Sequence, residues 1–357
     1  MSHQENSPIS ITPGAIRFNT DSMKLEYFRI GMEAEGTASY AGIGTLAAGE
    51  WVQITTDTPE IQTGGTRGLF GGGYTYPSPT THYNTIDYIN VDSTGNAIDF
   101  GDLPGSHNNS RGATSSRTRG VWGGGNQEPA NNSNVMDFVT IASTGNASDF
   151  GDLTEPRRTP GAVSNGSRGV WAGGRTPTSQ NIMDYVTIAA TGNAIDFGDL
   201  ALARVATAPL QSSTRGLFAG GYSSNTNIIE FITTATLGNA ADFGELTTAG
   251  QYSGSSNSVR GLAVIASTSN NTIEYVTMAT LGNAQDFGDA NYSAAQTGAV
   301  ASPTRLVYAG GYIAPTSTNN MGYVQIMSLG NGIDFGDLTV SRMFDNAGCS
   351  NGHGGLG

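Results

Sequence analysis

Apolar and polar residues alternate along this chain in short bursts, and no stretch of about 12 residues keeps a helical period. The clearest bursts are "NTIDYINV" from Asn84 and "NIMDYVTI" from Asn181, rich in Ile, Val, Thr and Tyr. Such period-two runs predict half-buried β-strands. Each burst follows a run of the type "RGLFGGG" from Arg67 and precedes one of the type "NAIDFGDL" from Asn96. A small, polar run stands ahead of these, as in "SRGATSS" from Ser110 and "TPGAVS" from Thr159. The pattern therefore predicts four short strands per unit and no helices.

The unit recurs six times. "TGNAIDFGDL" stands unchanged at Thr94 and Thr191, with close copies from Thr144, Leu237, Leu281 and Leu329. The arginine opening the second run is Arg67, Arg119, Arg168, Arg215, Arg260 or Arg305, at spacings of 52, 49, 47, 45 and 45 residues. A Gly-Asn pair separates the third and fourth runs, from Gly95/Asn96 to Gly330/Asn331. Glycine followed by Asn suits a type II′ hairpin. Four antiparallel strands at this period predict a blade of a β-propeller, so the fold class is all-β with six blades over 63–357. The first unit lacks its small polar run, whereas "FDNAGCSNGHGG" from Phe344 supplies a spare one. The spare strand is expected to complete the first blade and remove the free edge. On this alignment His353 stands where the repeat has arginine, and the change reads as drift.

The repeat resembles kelch repeats. It has their length, and paired glycines close the second run at Gly72/Gly73, Gly124/Gly125, Gly173/Gly174, Gly220/Gly221 and Gly310/Gly311. The fifth unit departs, with Ile265 and Ala266, and Phe100 and its equivalents stand near the kelch tryptophan position. Residues 1–62 do not repeat. "GAIRFNTDSMKLEYF" from Gly14 reads as a hairpin around Asn19 to Ser22, and "EWVQI" from Glu50 as a third strand. This module resembles short N-terminal modules of tailed-bacteriophage virion proteins, and the repeat array resembles structural proteins of marine phages. The resemblance implies a virion location. It also implies attachment through residues 1–62 to other virion proteins or further copies of the chain. Ile16, Phe18, Tyr27 and Trp51 are the candidate attachment residues, because so short a segment builds a poor core alone.

Composition narrows the functions. Net charge is −13, which disfavours free nucleic acid as a partner. Most acids sit in three repeated slots, such as Asp87, Asp99 and Asp102, with Gly322 the one exception. No apolar run approaches the roughly 18–20 residues of a membrane span, and "MSHQENSPIS" argues against a signal peptide. One cysteine, Cys349, allows no intrachain disulfide. The four histidines lack metal-ligand spacing, and no cofactor is expected. Six tandem "DFG" copies without a catalytic loop are no kinase motif. "GCSNG" from Gly348 matches a hydrolase elbow, but "AVSNG" from Ala162 shows the same turn in an equivalent strand. The six repeated arginines are expected to be structural, paired with the repeated carboxylates, with an anion-binding channel as the alternative.

The loops differ on one side only. In a meander, the connections between second and third runs share a face with those between units. These are diverse, from "YTYPSPTTHYN" at Tyr74 to "RTPTSQN" at Arg175 and "TEPRR" at Thr154. A rigid scaffold presenting diverse loops suits a binding module. Tyr74, Tyr76, His82, Tyr83, Tyr222 and Tyr312 are the candidate contacts for a polar ligand such as a host-surface polysaccharide. The expected function is a non-enzymatic virion protein with this face toward the host. The alternatives are a purely decorating subunit and a carbohydrate-active enzyme. The latter needs two carboxylates about 5–10 Å apart, and the variable loops offer only scattered acids such as Glu128 and Glu155.

Overall fold

The alternating third run of each repeat is an interior strand of a four-stranded antiparallel sheet in the computed structural model, which describes residues 15–19, 24–30, 49–53, 66–77, 80–105, 111–127, 131–222, 226–344 and 347–356. The chain divides into two units, Met1–Gln62 and Thr63–Gly357. In the first, Ile16–Asn19, Lys24–Ile30 and Gly49–Gln53 form a three-stranded antiparallel sheet. Its register aligns Ile16, Tyr27 and Val52, while Trp51 pairs with Phe28, one residue out of step. Ile16 is exposed. The side chains of Phe18, Tyr27 and Trp51 lie outside the described residues.

The second unit is a six-bladed β-propeller. Blade 2 runs Gly112–Ser115, Arg119–Gly123, Val135–Thr140 and Ser148–Asp152, and blade 3 runs Gly161–Ser164, Arg168–Ala172, Ile182–Thr187 and Ile195–Asp199. Blades 4, 5 and 6 repeat this order from Ala208–Gln211, Tyr252–Ser256 and Gly298–Ala301 to Ala241–Glu245, Gln285–Asp289 and Ile333–Asp337. Blade 1 takes Arg67–Gly71, Thr85–Asn90 and Ile98–Asp102 from one end of the unit and Gly348–Ser350 from the other. The last strand pairs Cys349 with Leu69 and Ser350 with Gly68, the expected closure. The first strands of neighbouring blades pack on one another around the ring, and the apolar core lies between successive sheets.

Two repeated motifs take unexpected roles. In every blade the pairing of third and fourth strands shifts at one point: Ile86 faces Gly101, but Asp87 faces Asp99. Phe100 is the extra residue of a β-bulge. It turns inward, is almost fully buried, and meets the edge of Tyr88 with centroids 6.0 Å apart. "DFG" is thus a bulge signature.

The Gly-Asn pair does not make a type II′ hairpin. It lies in a wider connection that reaches the preceding blade. The Gly145 amide donates to the Phe100 carbonyl at 2.8 Å, and the Ala147 amide to the Asp102 carbonyl at 2.8 Å. Asn146 Oδ1 accepts the Asp102 amide at 3.0 Å. The same three bonds recur around the ring, and across the closing seam they join Gly95, Asn96 and Ala97 to Phe335 and Asp337. A local two-residue turn would leave the outer strand's edge unpaired, and the clasp satisfies it instead.

The segment after the closing strand folds across one mouth of the ring. Gly354–Leu356 form a 3₁₀ turn against the first strands of blades 3, 4 and 5. His353 is buried there rather than drifted. Its Nδ1 accepts the Gly355 amide at 3.1 Å, so Nε2 carries the proton and donates to the Ser115 carbonyl at 3.1 Å. Arg117 donates to the Leu356 carbonyl. Ser350, the middle residue of "GCSNG", is buried and donates its hydroxyl to the Ala301 carbonyl at 2.5 Å. Ser115 and Ser164 bond the preceding blade in the same way.

Two outcomes follow for stability. Gly151→Ala is expected to destabilise the propeller by about 2–4 kcal/mol. At φ 142° its Cβ would stand 2.4 Å from the Gly192 carbonyl oxygen. Gly145→Ala, at φ 154° but with nothing within 4 Å of its Cβ, should carry only the backbone strain, about 1–2 kcal/mol, and so cost less than Gly151→Ala. Denaturant unfolding of the pair checks the clasp, and equal costs would refute it.

Burial pushes the His353 pKa down from 6.5 to about 4, because the charged ring would lose its solvation. The folded state therefore binds fewer protons than the unfolded state between those values. The stability contributed by the neutral ring is full above pH 6.5 and falls as pH drops toward 4. Unfolding measured from pH 7 to 4 should show a slope that His353→Gln removes.

Candidate functional site: the variable-loop face

The variable face is held by ion pairs that the sequence reading missed. Arg111, Arg157, Arg204 and Arg342 precede the first strands of blades 2, 3, 4 and 1, and all are buried. They pair with Asp137, Asp184, Glu230 and Asp87, the carboxylates expected to serve the other arginines. In blade 3, Arg157 Nη2 lies 2.7 Å from Asp184 Oδ2. The other carboxylate oxygen accepts the Thr154 hydroxyl at 2.6 Å. One buried acid thus holds both ends of the incoming loop. Burial lowers the pKa of each guanidinium, and the adjacent carboxylate opposes that shift.

The paired glycines belong to this arrangement. The Gly125 amide donates to the Arg157 carbonyl at 2.9 Å, and Gly174 to the Arg204 carbonyl at 3.0 Å. A Cβ on Gly124 or Gly173, both at positive φ, would stand 2.4 Å from that same oxygen. In blades 2, 3 and 6 the pair is the seat for the next blade's buried arginine. In blade 4 the pair meets a loop without arginine, Gly221 donating to the Gly250 carbonyl at 2.8 Å, and nothing in the structure explains Ile265 and Ala266 at this place in blade 5. In blade 6 the acid is Gly322, and the Tyr308 hydroxyl takes its place, bonded to Asn291 at 2.6 Å. Tyr292 then donates to the Asn320 carbonyl, as Arg204 does to the Ile228 carbonyl in blade 4. In blade 5, Tyr252 donates to Glu274 at 2.9 Å.

The arginines singled out from sequence do something else. Arg67, Arg119, Arg168, Arg215, Arg260 and Arg305 each lie over the aromatic ring of their own third strand, at 4.3–5.1 Å from the centroid. The Nη1 groups of Arg67, Arg119, Arg168, Arg215 and Arg260 donate to carbonyls at the end of the next blade's third strand, as Arg119 does to Ile188 at 3.0 Å. They tie blades together through cation–π contact and carbonyls, and the expected carboxylate pairing is not made. Nor do they line the ring's centre, where the first strands lie.

The six candidate contacts divide. Tyr74, Tyr222 and Tyr312 occupy one equivalent rim position after the paired glycines, and each bridges to the loop entering its blade, at Met343, Val205 and Ala295. Tyr74 also stacks on His82, with centroids 6.1 Å apart, and accepts a bond from Gln296 at 2.8 Å. The long blade 1 loop leans on the blade 6 loop. Tyr76 exchanges hydrogen bonds with Ser317 and meets Tyr312 edge-on, with centroids 5.2 Å apart. Tyr74, Tyr76, His82 and Tyr312 therefore gather at the seam between blades 1 and 6. Tyr83 is half-buried beside them, its amide donating to the Gly73 carbonyl at 2.9 Å. Tyr222, half-exposed, stands apart on blade 4.

Glu155 is exposed on this face, and Glu128 lies outside the described residues. Among the described residues no His, Cys, Asp or Glu group could hold a metal ion, and no helix is long and apolar enough to cross a membrane. No protein-family profile matches the chain, and no curated protein matches it.

Asp184→Asn is expected to destabilise the propeller by about 3–5 kcal/mol, because it leaves Arg157 charged and buried without its counter-ion. Replacing both partners with apolar residues of similar volume should recover most of that loss. Chemical unfolding of the single and double variants checks both statements.

Proposed function

We propose that this protein is a non-enzymatic bacteriophage virion protein whose propeller binds host-surface polysaccharide through its variable-loop face. The observation that carries the reading is the aromatic gathering at the blade 1–6 seam. Tyr76 is half-exposed and braced edge-on by Tyr312, with Tyr74 and His82 behind it. Rigid, part-exposed aromatics beside serine and glutamine groups suit sugar rings, which present both apolar faces and hydroxyls. The opposite face supports the same reading, since its turns are near-identical and committed to clasps between blades. Residues 1–62 attach the propeller to the particle, with Ile16, Phe18, Tyr27 and Trp51 in that contact. The virion location rests on the resemblance of the repeat array and N-terminal module to phage structural proteins.

Particles carrying Tyr76→Ala and Tyr312→Ala are expected to assemble normally and to adsorb about thirtyfold more weakly, at roughly 1 kcal/mol for each of the two lost aromatic contacts. Retention of the two proteins on immobilised host polysaccharide checks the same loss in vitro. Normal adsorption by the double variant would leave decoration of the particle as the better reading.

A further inference from the structure

The propeller carries thirteen arginines, and its architecture accounts for eleven. Six lie over aromatic rings, four are buried in ion pairs, and Arg117 holds the Leu356 carbonyl. The two left are Arg158 and Arg175, and they are partners. Arg175 follows the paired glycines of blade 3, and Arg158 follows the buried Arg157. Their backbones exchange hydrogen bonds, Arg175 N to Arg158 O at 2.9 Å and Arg158 N to Arg175 O at 3.3 Å.

Directly opposed residues of an antiparallel bridge point to the same side, with Cβ atoms about 4.5–5.5 Å apart. Two like charges there repel. At the same rim position the other blades that form this bridge place Tyr74 against Met343, Tyr222 against Val205 and Tyr312 against Ala295. The default pair is aromatic and apolar, and blade 3 alone among these sets cation against cation. Among the described residues no acid pairs with either of them. Arg175 is exposed, and only its Nε is engaged, by the Pro177 carbonyl at 2.9 Å. Arg158 is half-buried, and its guanidinium has no hydrogen bond or ion pair among the described residues. Glu155, on the same loop, is exposed and pairs with neither. In a chain of net charge −13, such a pair concentrates positive charge on the variable face.

We propose that Arg158 and Arg175 form a second ligand site, which takes an acidic glycan bearing carboxylate or sulfate groups. Two guanidinium forks side by side match the planar oxygens of such a group and lose their mutual repulsion when it binds. The neighbouring Asn132 amide, now donating to the Arg175 carbonyl at 3.0 Å, marks the polar rim available to sugar hydroxyls. The site rests on the reading of this face as the ligand-binding one, but it uses a different blade and a different chemistry from the aromatic seam.

The test uses the full-length chain, its Arg158→Gln/Arg175→Gln variant and its Tyr76→Ala/Tyr312→Ala variant. The calorimetric probes are oligogalacturonate, a sulfated dextran oligomer and the neutral dextran oligomer. The unaltered protein should bind the charged oligomers, more weakly as NaCl rises. The arginine variant should lose about tenfold or more of that affinity, while the tyrosine variant keeps it. Without ligand, the arginine variant should unfold at an equal or higher temperature, because repulsion is relieved. Charged-oligomer binding that is absent, or equal in the arginine variant, would overturn the proposal, as would a marked loss of stability in that variant. If neutral oligomer still binds through the tyrosines in that event, this site alone fails. If neither class binds, the reading of the whole face fails with it.

Discussion

The structure depends on the clasp by which each blade's Gly-Asn-Ala loop pairs with the outer strand of the blade before it. A propeller blade alone is a small twisted sheet with two edges, and the outer edge faces solvent in any radial arrangement. Here the outer strand's last carbonyls and amides are taken by the neighbour, three bonds per interface, and the ring closes on itself with the same three bonds. The geometry leaves little freedom. The glycine after each bulged phenylalanine must sit against a backbone carbonyl, and the Asn must reach one amide. Nearly identical sequence in six places is the consequence.

The opposite face obeys a looser rule. In four of the six blades one buried arginine and one buried acid locate the incoming loop, and the residues around them are free to differ in length and kind. The rule even tolerates loss of both ions. In blade 6 a glycine removes the acid, and two tyrosine hydroxyls with Asn291 take over its bonds. Buried ion pairs contribute little net stability over apolar packing, so their replacement by neutral hydrogen bonds is affordable provided no polar group is stranded. Constancy on one face and diversity on the other thus have different physical origins.

Much of this was legible in the sequence. Blade number, strand content, the strand supplied by the C-terminal segment and the split between uniform and variable faces all follow from period and pattern. The clasp was not, because Gly-Asn between two strands has a strong local meaning as a hairpin turn, and the contact that overrides it lies about 40 residues away. The buried arginines escaped for a related reason. Arg111 directly precedes its strand, Arg157 stands four residues ahead of Gly161, and Arg342 stands six ahead of Gly348, so no register exposes them. The more regular arginines attracted the expected carboxylates instead. His353 was misread because the alignment continued a repeat that the fold had already ended. At the candidate site, loop diversity marked the variable face. Only coordinates could bring Tyr76 to Tyr312 across 236 residues of sequence, or set Arg158 opposite Arg175.

A repeat protein supplies its own controls, and these separate structural from functional deviations. Gly322 breaks the repeat, but Tyr308 fills the space and completes the hydrogen bonds, so the change is absorbed by the fold. Arg158 and Arg175 break the rim pattern together and make matters worse locally, since each raises the energy of the other. A compensated deviation has its explanation inside the molecule. A like-charge pair without a counter-ion among the described residues, on the face where loops are otherwise free to vary, is the deviation that the proposed acidic ligand would explain.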